Sequence, residues 1–246
     1  MDSDHIVRAY DRDLERLDNL IAEMGGRAET MLADAVAALV RRDTDKAART
    51  AAADRRIDAL EAEIDALAMR VLALRQPMAE DLRVVIAGLK TAGDLERIGD
   101  YIRNMANRTV ALSRTRSVGG AAQTIARMAA IVQTMLKNVL DAYAARDADK
   151  ADDVRSRDAD VDQLHTSLFR ELLTYMMEDP RQITACTHLL FIAKNLERIG
   201  DHVTNIAEYV HLMVRGAKPE EGRPKGDRSS FTVIESEDGG DREDQS

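Results

Sequence analysis

Apolar residues recur at three- and four-residue spacing along most of the chain, and this pattern predicts six long helices. Leu14, Leu17, Ile21 and Met24, then Met31, Ala35, Ala38 and Leu39, mark a first helix over 4–42. Gly25-Gly26 interrupts that stripe. A glycine pair costs about 1–2 kcal/mol inside a helix, so it reads as a kink, a break or a close helix contact. Ile57, Leu60, Ile64, Leu67, Val71 and Leu74 share one face of a second helix over 44–75. Asp43 or Thr44 can cap it, and Gln76-Pro77 ends it. A third helix, over 80–113, carries Leu82, Val85, Ile86, Leu89, Ile98 and Ile102. After the hinge Ser117-Val118-Gly119-Gly120 come a fourth helix over 120–145, a fifth over 148–178 and a sixth over 181–215. Their apolar stripes run from Ile125 to Leu140, from Val161 to Met176 and from Ile183 to Val210. A helix of 30 residues is about 45 Å long, and short connections make neighbours antiparallel.

The chain repeats itself. Leu95-Glu96-Arg97-Ile98-Gly99-Asp100 returns unchanged as Leu196-Glu197-Arg198-Ile199-Gly200-Asp201. Asn104 then pairs with Asn205, and Ala106 with Ala207. Upstream, the run from Arg42 to Ala47 pairs with that from Arg146 to Ala151, and Asp54, Ile57 and Asp58 pair with Asp158, Val161 and Asp162. Pro77 and Pro180 stand where the two copies drift in register. The expected architecture is all-α: a tandem duplication forming two elongated three-helix bundles, residues 4–116 and 119–216. From 217 to 246 the chain turns acidic and poor in apolar mass, and disorder is expected. Phe231-Thr232-Val233-Ile234 is the one apolar island there.

Composition narrows the classes. Only Pro77 and Pro180 precede residue 217, aromatics make up 3% of the 246 residues and Trp is absent. A sandwich or barrel would want β-branched and aromatic strands with frequent turns. A net charge of −9 speaks against nucleic acid as a partner. The single cysteine, Cys186, rules out an internal disulfide framework and reads as a buried, inert thiol. No apolar run approaches the length of a membrane span, and a reduced cytoplasmic setting is expected, at most peripheral to the membrane through partners.

Charge patterning supplies the candidate chemistry. Glu96 and Asp100 are one turn apart on one face, with Asn104 next in line, and Glu197, Asp201 and Asn205 repeat the set. Asp54 with Asp58, and Asp158 with Asp162, are further acid pairs at the same spacing. Like charges so placed are mildly unfavourable when exposed and far worse when buried. A cation held between neighbouring helices would reverse the sign, and oxygen-rich sets suit Mg, Mn and Fe. Ordinary surface ion pairs with Arg55, Arg56 and Arg97 would also neutralise them, and spacing alone leaves both readings open. The Glu-x-x-His motif of di-iron bundles is absent, and His202 follows Asp201 directly, so it points away from that face. His165 and His188 read as ordinary packed or exposed histidines.

The doubled Leu-Glu-Arg-Ile-Gly-Asp motif, with Arg75-Gln76-Pro77 and Asp81-Leu82-Arg83 at the turn between the second and third helices, resembles the family of phosphate-specific transport system accessory proteins, PhoU. The resemblance covers roughly residues 5–215. It departs at the second turn, where Glu178-Asp179-Pro180-Arg181 replaces the first-half pattern. It implies a cytoplasmic, all-helical regulator without turnover, forming a homodimer or larger homo-oligomer. Its partners would be the ATPase of a phosphate ABC transporter and a sensor histidine kinase, and it would repress the phosphate-starvation response. It also implies metal, with Fe, Mn, Mg or Zn held by Glu96, Asp100, Asn104, Glu197, Asp201 and Asn205 and supported by Asp54, Asp58, Asp158 and Asp162. Two other classes remain open on the residues: a phosphohydrolase using clustered Mg or Mn, and a purely structural helical interaction protein.

Overall fold

The computed structural model describes residues 2–219, with side chains from Tyr10 onward. The expected tail therefore lies outside the described residues, apart from Ala217, Lys218 and Pro219, and so does the Phe231–Ile234 island. Seven α-helices follow in order: α1 Asp2–Arg41, α2 Thr44–Arg75, α3 Glu80–Leu112, α4 Ala121–Ala145, α5 Ala148–Ser156, α6 Asp158–Glu178 and α7 Ile183–Arg215. A single 3-10 turn, Pro180–Gln182, leads into α7. The described residues contain no strand.

Two expectations are sharpened. α1 runs unbroken through Gly25-Gly26. A Cβ on Gly25 would stand 2.6 Å from Leu140 Cδ2 on α4, so this glycine is a close helix contact rather than a break. The helix expected over 148–178 is instead divided at Arg157 into α5 and α6. Arg157 N–H donates to Val154 and Asp160 N–H to Arg157, both bonds three residues long, which tightens the chain locally. Ser156, Asp158 and Asp160 are weak helix formers whose side chains compete for backbone groups, and Ser156 Oγ donates to Asp153 O at 2.8 Å.

Both repeats build their first corner alike. Arg42 and Arg146 sit in the left-handed region, at φ 55° and 54°. Asp43 and Asp147 then cap the next helix, accepting from Lys46 N at 2.8 Å and from Lys150 N at 3.0 Å. The arginines do different work. Arg42 donates to Leu112 O and Thr115 O at the end of α3. Arg146 forms a two-point ion pair with Asp18 of α1, at 2.9 and 2.7 Å, and so ties the second repeat to the first.

Within the first half α1, α2 and α3 pack on one another, and within the second α4, α5, α6 and α7 do so. The broadest contact in the molecule joins the halves, α3 against α7, with α1 against α4 beside it. One apolar core results, running from Leu17, Ile57 and Ile98 through Ile125 and Val132 to Ile192 and Ile199, all fully buried. Each such side chain taken from water contributes about 1.5–3 kcal/mol. Cys186 is buried in this core, and burial pushes its thiol pKa up.

The α3–α7 seam is antiparallel. Lys90 lies over the Tyr209 ring at one end, 5.4 Å from its centre, and Arg108 over the Phe191 ring at the other, at 4.1 Å. Between them Tyr101 and His202 approach with ring centres 5.5 Å apart. Buried Asp94 on α3 faces His202 Nδ1 and accepts from Asn205 Nδ2 at 3.3 Å. Burial, then the Asp94 charge, raises the Tyr209 phenol above its ordinary range.

Candidate functional site

In the first repeat the facing sides of α2 and α3 bring acids together. Asp54 of α2 is buried at 1% exposure and lies directly against Gly99 of α3. A glycine fits this approach, because a Cβ would be 2.6 Å from Asp54 Oδ1 and one of the two would have to shift. Asp54 Oδ1 is buried with no hydrogen-bond partner, while Oδ2 meets Arg103 Nη1. Arg103 Nη2 reaches Asp100 Oδ1 at 2.7 Å. One guanidinium thus bridges the carboxylates of two helices. Arg97 approaches Glu96 at 3.4 Å and Asp100 at 3.3 Å on the outer side.

The charges feel one another. Burial raises the Asp54 carboxyl above the usual carboxylate range; Arg103 pulls it back, and Asp58 and Asp100 push it up further. Burial and then Asp100 raise Glu96, against a pull from Arg97, and Glu61 and Asp58 add to the rise. Glu61 is raised too, by burial, Asp65 and Asp58. Burial lowers the Arg103 guanidinium, but Asp54 and Asp100 more than compensate and hold it above its ordinary value. Asp58 and Asn104 are exposed.

The second repeat is more deeply set. Asp158, Asp162 and Glu197 are buried, and Asp201 is half-buried. Asp158 Oδ1 lies over Gly200, where a Cβ would come within 3.1 Å, repeating the Asp54–Gly99 relation with more room. Lys194 Nζ pairs with Glu197 Oε2 at 2.9 Å. Asn205 turns across the seam to Asp94. His165, one turn beyond Asp162, is buried at 3% exposure. It occupies the place that Glu61 holds in the first repeat.

Of the ten carboxylate and amide residues singled out from the sequence, Asp54 and Asp100 are joined directly, through Arg103, with Glu96 and Asp58 coupled to them by charge. Among the described residues, no three His, Cys, Asp or Glu side chains gather around one point as a metal ion would need. Arg103, Glu61 and His165 are the participants that spacing missed. Arg103 was legible as the residue three beyond Asp100 and seven beyond Glu96, hence on their face. Glu61 and His165 were legible from aligning the second helices of the two repeats.

The turns opposite the hinge are apolar and open. At the α2–α3 turn Met69, Leu74 and Met78 are 64%, 71% and 81% exposed, with Leu82 next to them. At the corresponding α6–α7 turn Met177 and Ile183 are exposed. No helix among the described residues is long and apolar enough to cross a membrane.

Comparison with known proteins places these features. The PhoU domain model matches twice, over residues 21–109 and 125–210. A phosphate-specific transport system accessory protein PhoU homolog of Rhizobium meliloti is 49% identical over 226 residues, covering 92% of this chain and 95% of that protein. Its namesake from Caulobacter vibrioides is 48% identical over 225 residues, covering 92% and 98%. Among solved structures, PhoU from Pseudomonas aeruginosa superposes with a TM-score of 0.82 at 39% identity, over 85% of this chain and all of that one. The phosphate transport system regulatory protein PhoU from Streptococcus pneumoniae does so with 0.80 at 27% identity, over 86% of this chain and all of that one.

Proposed function

The chain belongs to the PhoU domain family, and on that premise we propose that it is an accessory regulator of phosphate transport, working by contact and without turnover. The observation that carries this is a match running through both repeats to relatives named as accessory to the phosphate-specific transport system. In the fuller form of the proposal it sits in the cytoplasm and links the ATPase of a phosphate ABC transporter to a sensor histidine kinase. It represses the phosphate-starvation response when phosphate is plentiful, and it works as a homodimer or larger homo-oligomer. The open apolar turns support the docking part. Leu74 and Met78 give a partner apolar contact at the turn at no unfolding cost, since they are already in water.

Metal is a narrower proposal. Residues of the first repeat fit an ion poorly, because Arg103 already stands between Asp54 and Asp100. Those of the second offer more kinds of donor: Asp158, Asp162, Glu197 and Asp201 carry oxygen and His165 carries imidazole, although Lys194 already pairs with Glu197 and the ion would have to draw the set together. Such a mixed set suits Fe, Mn or Zn more than Mg. The ion would supply charge neutralisation between α6 and α7 and would pin those helices.

The deciding experiment is deletion of the gene with a phosphate-regulated reporter read in rich phosphate, joined to pull-down of the purified chain with transporter and kinase. Derepression on deletion and capture of either partner are expected. Unchanged repression without capture sinks the adaptor role, and phosphate release from generic esters with Mn or Mg would turn the assignment to a hydrolase.

A further inference from the structure

We infer that Arg103 is the first repeat's own counter-cation and closes that repeat's carboxylates to metal. Where the family motif invites an ion between helices two and three, this chain supplies a guanidinium instead. Nη1 meets Asp54 on α2 and Nη2 meets Asp100 on α3, the latter at 2.7 Å. The Asp54 side chain is 2% exposed and that of Arg103 is 37% exposed, so the guanidinium is the outer of the two and lies on the solvent side of the buried acid.

The charge is permanent. An arginine does not release its proton in a folded protein. A metal ion competing for these oxygens must therefore expel a fixed positive charge, whereas at an ordinary carboxylate site it displaces water or a proton. It must also break a planar, two-armed contact that reaches both helices at once. The remaining oxygen, Asp54 Oδ1, is turned inward against Gly99 and has no hydrogen-bond partner.

The second repeat shows what the position does without the guanidinium. Its counterpart of Arg103 is Thr204, whose hydroxyl donates to its own helix, to Gly200 O and Asp201 O at 2.9 Å each. Thus Thr204 itself supplies no cation, the α7 cation beside Glu197 being Lys194, and the histidine that stands for Glu61 brings an imidazole in place of a carboxylate. The two copies have taken different chemical routes from one motif.

The inference deepens the metal proposal but does not stand or fall with it. The test uses the full chain stripped with EDTA, with Mn2+ alone as the probe, and reads bound metal by elemental analysis and melting temperature with and without Mn2+. Arg103→Thr, the residue the other repeat already carries, is expected to melt lower than wild type in EDTA, to bind additional Mn2+ and to regain stability with it. Adding Asp100→Asn should remove that gain. Asp54→Asn in the wild-type background should leave bound Mn2+ unchanged. Should Arg103→Thr fail to fold, Arg103→Gln keeps a donor without the charge and is read the same way. A wild type that binds no Mn2+ while the Arg103 variant does supports the inference and defeats the second-repeat metal proposal. No added metal in either Arg103 variant, or loss of wild-type metal in Asp54→Asn, overturns the inference.

Discussion

Gly99 and Asp54 occupy adjoining space so closely that a single added carbon at residue 99 would stand 2.6 Å from Asp54 Oδ1. A carboxylate laid on a helix backbone needs a residue without a side chain beneath it, and the buried acid and the mid-helix glycine are therefore one feature. Its copy, Gly200 with Asp158, leaves 3.1 Å.

Gly99→Ala and Gly200→Ala should consequently differ. Alanine gains about 1 kcal/mol of helix propensity at either site. At 99 the overlap with a short, anchored side chain should outweigh this, for a net loss of about 1–2 kcal/mol. At 200 the two effects should nearly cancel, to within about 0.5 kcal/mol. Urea denaturation of both variants checks the pair, and equal losses would contradict the difference in room.

The contribution of the first repeat's crowded acids to stability should fall as pH rises through the carboxylate range. Asp54, Glu61 and Glu96 hold their protons more tightly folded than unfolded, chiefly through burial. Protonation thus favours the folded state. The benefit is complete below the ordinary carboxylate pKa of about 4 and is lost as pH climbs from there through the raised values. Asp54→Asn should flatten the slope there, as read by denaturant midpoints across that range.

At the seam, Asp94→Ala should cost about 1–3 kcal/mol, since His202 and Asn205 would both lose their shared acceptor in a buried setting. Equilibrium unfolding measures it, and Asp94→Asn, which keeps an acceptor, should cost less.

Leu74→Ser with Met78→Ser should leave stability within about 0.5 kcal/mol of wild type, because both side chains are already mostly in water. If the α2–α3 turn docks the transporter or kinase, the same variant should weaken capture of that partner severalfold in a binding titration.

The helices were legible because burial follows the apolar stripe: Ile57, Leu60 and Ile64 are all fully buried, as their spacing requires. The break at Arg157 was not, since Val161, Leu164 and Leu168 give a regular stripe just beyond it, and only weak propensities at Ser156 and Asp158 hint at it. Within the site, repetition pointed to Asp54 and Asp100. Asn104 and Asn205 show the limit of extending a face by fours. Two steps of four residues swing the direction by about 80°, so residues eight beyond Glu96 and Glu197 have left the line. Asn104 is exposed, and Asn205 reaches across the seam. Asp162-x-x-His165 falls outside the Glu-x-x-His pattern by one methylene, and both of its residues are buried.

The seam also decides which helix can be a partner for which. Its end contacts set a cation from the first repeat against a ring from the second, Lys90 on Tyr209 and Arg108 on Phe191. Lay α3 against another α3 in the same antiparallel register, and Lys90 would face Arg108, charge against like charge. Lay α7 against α7, and Phe191 would meet Tyr209 with no cation between them. The first repeat's seam helix is thus matched to α7 and mismatched to a copy of itself, so the duplication behaves as a built-in heterodimer that one molecule completes alone.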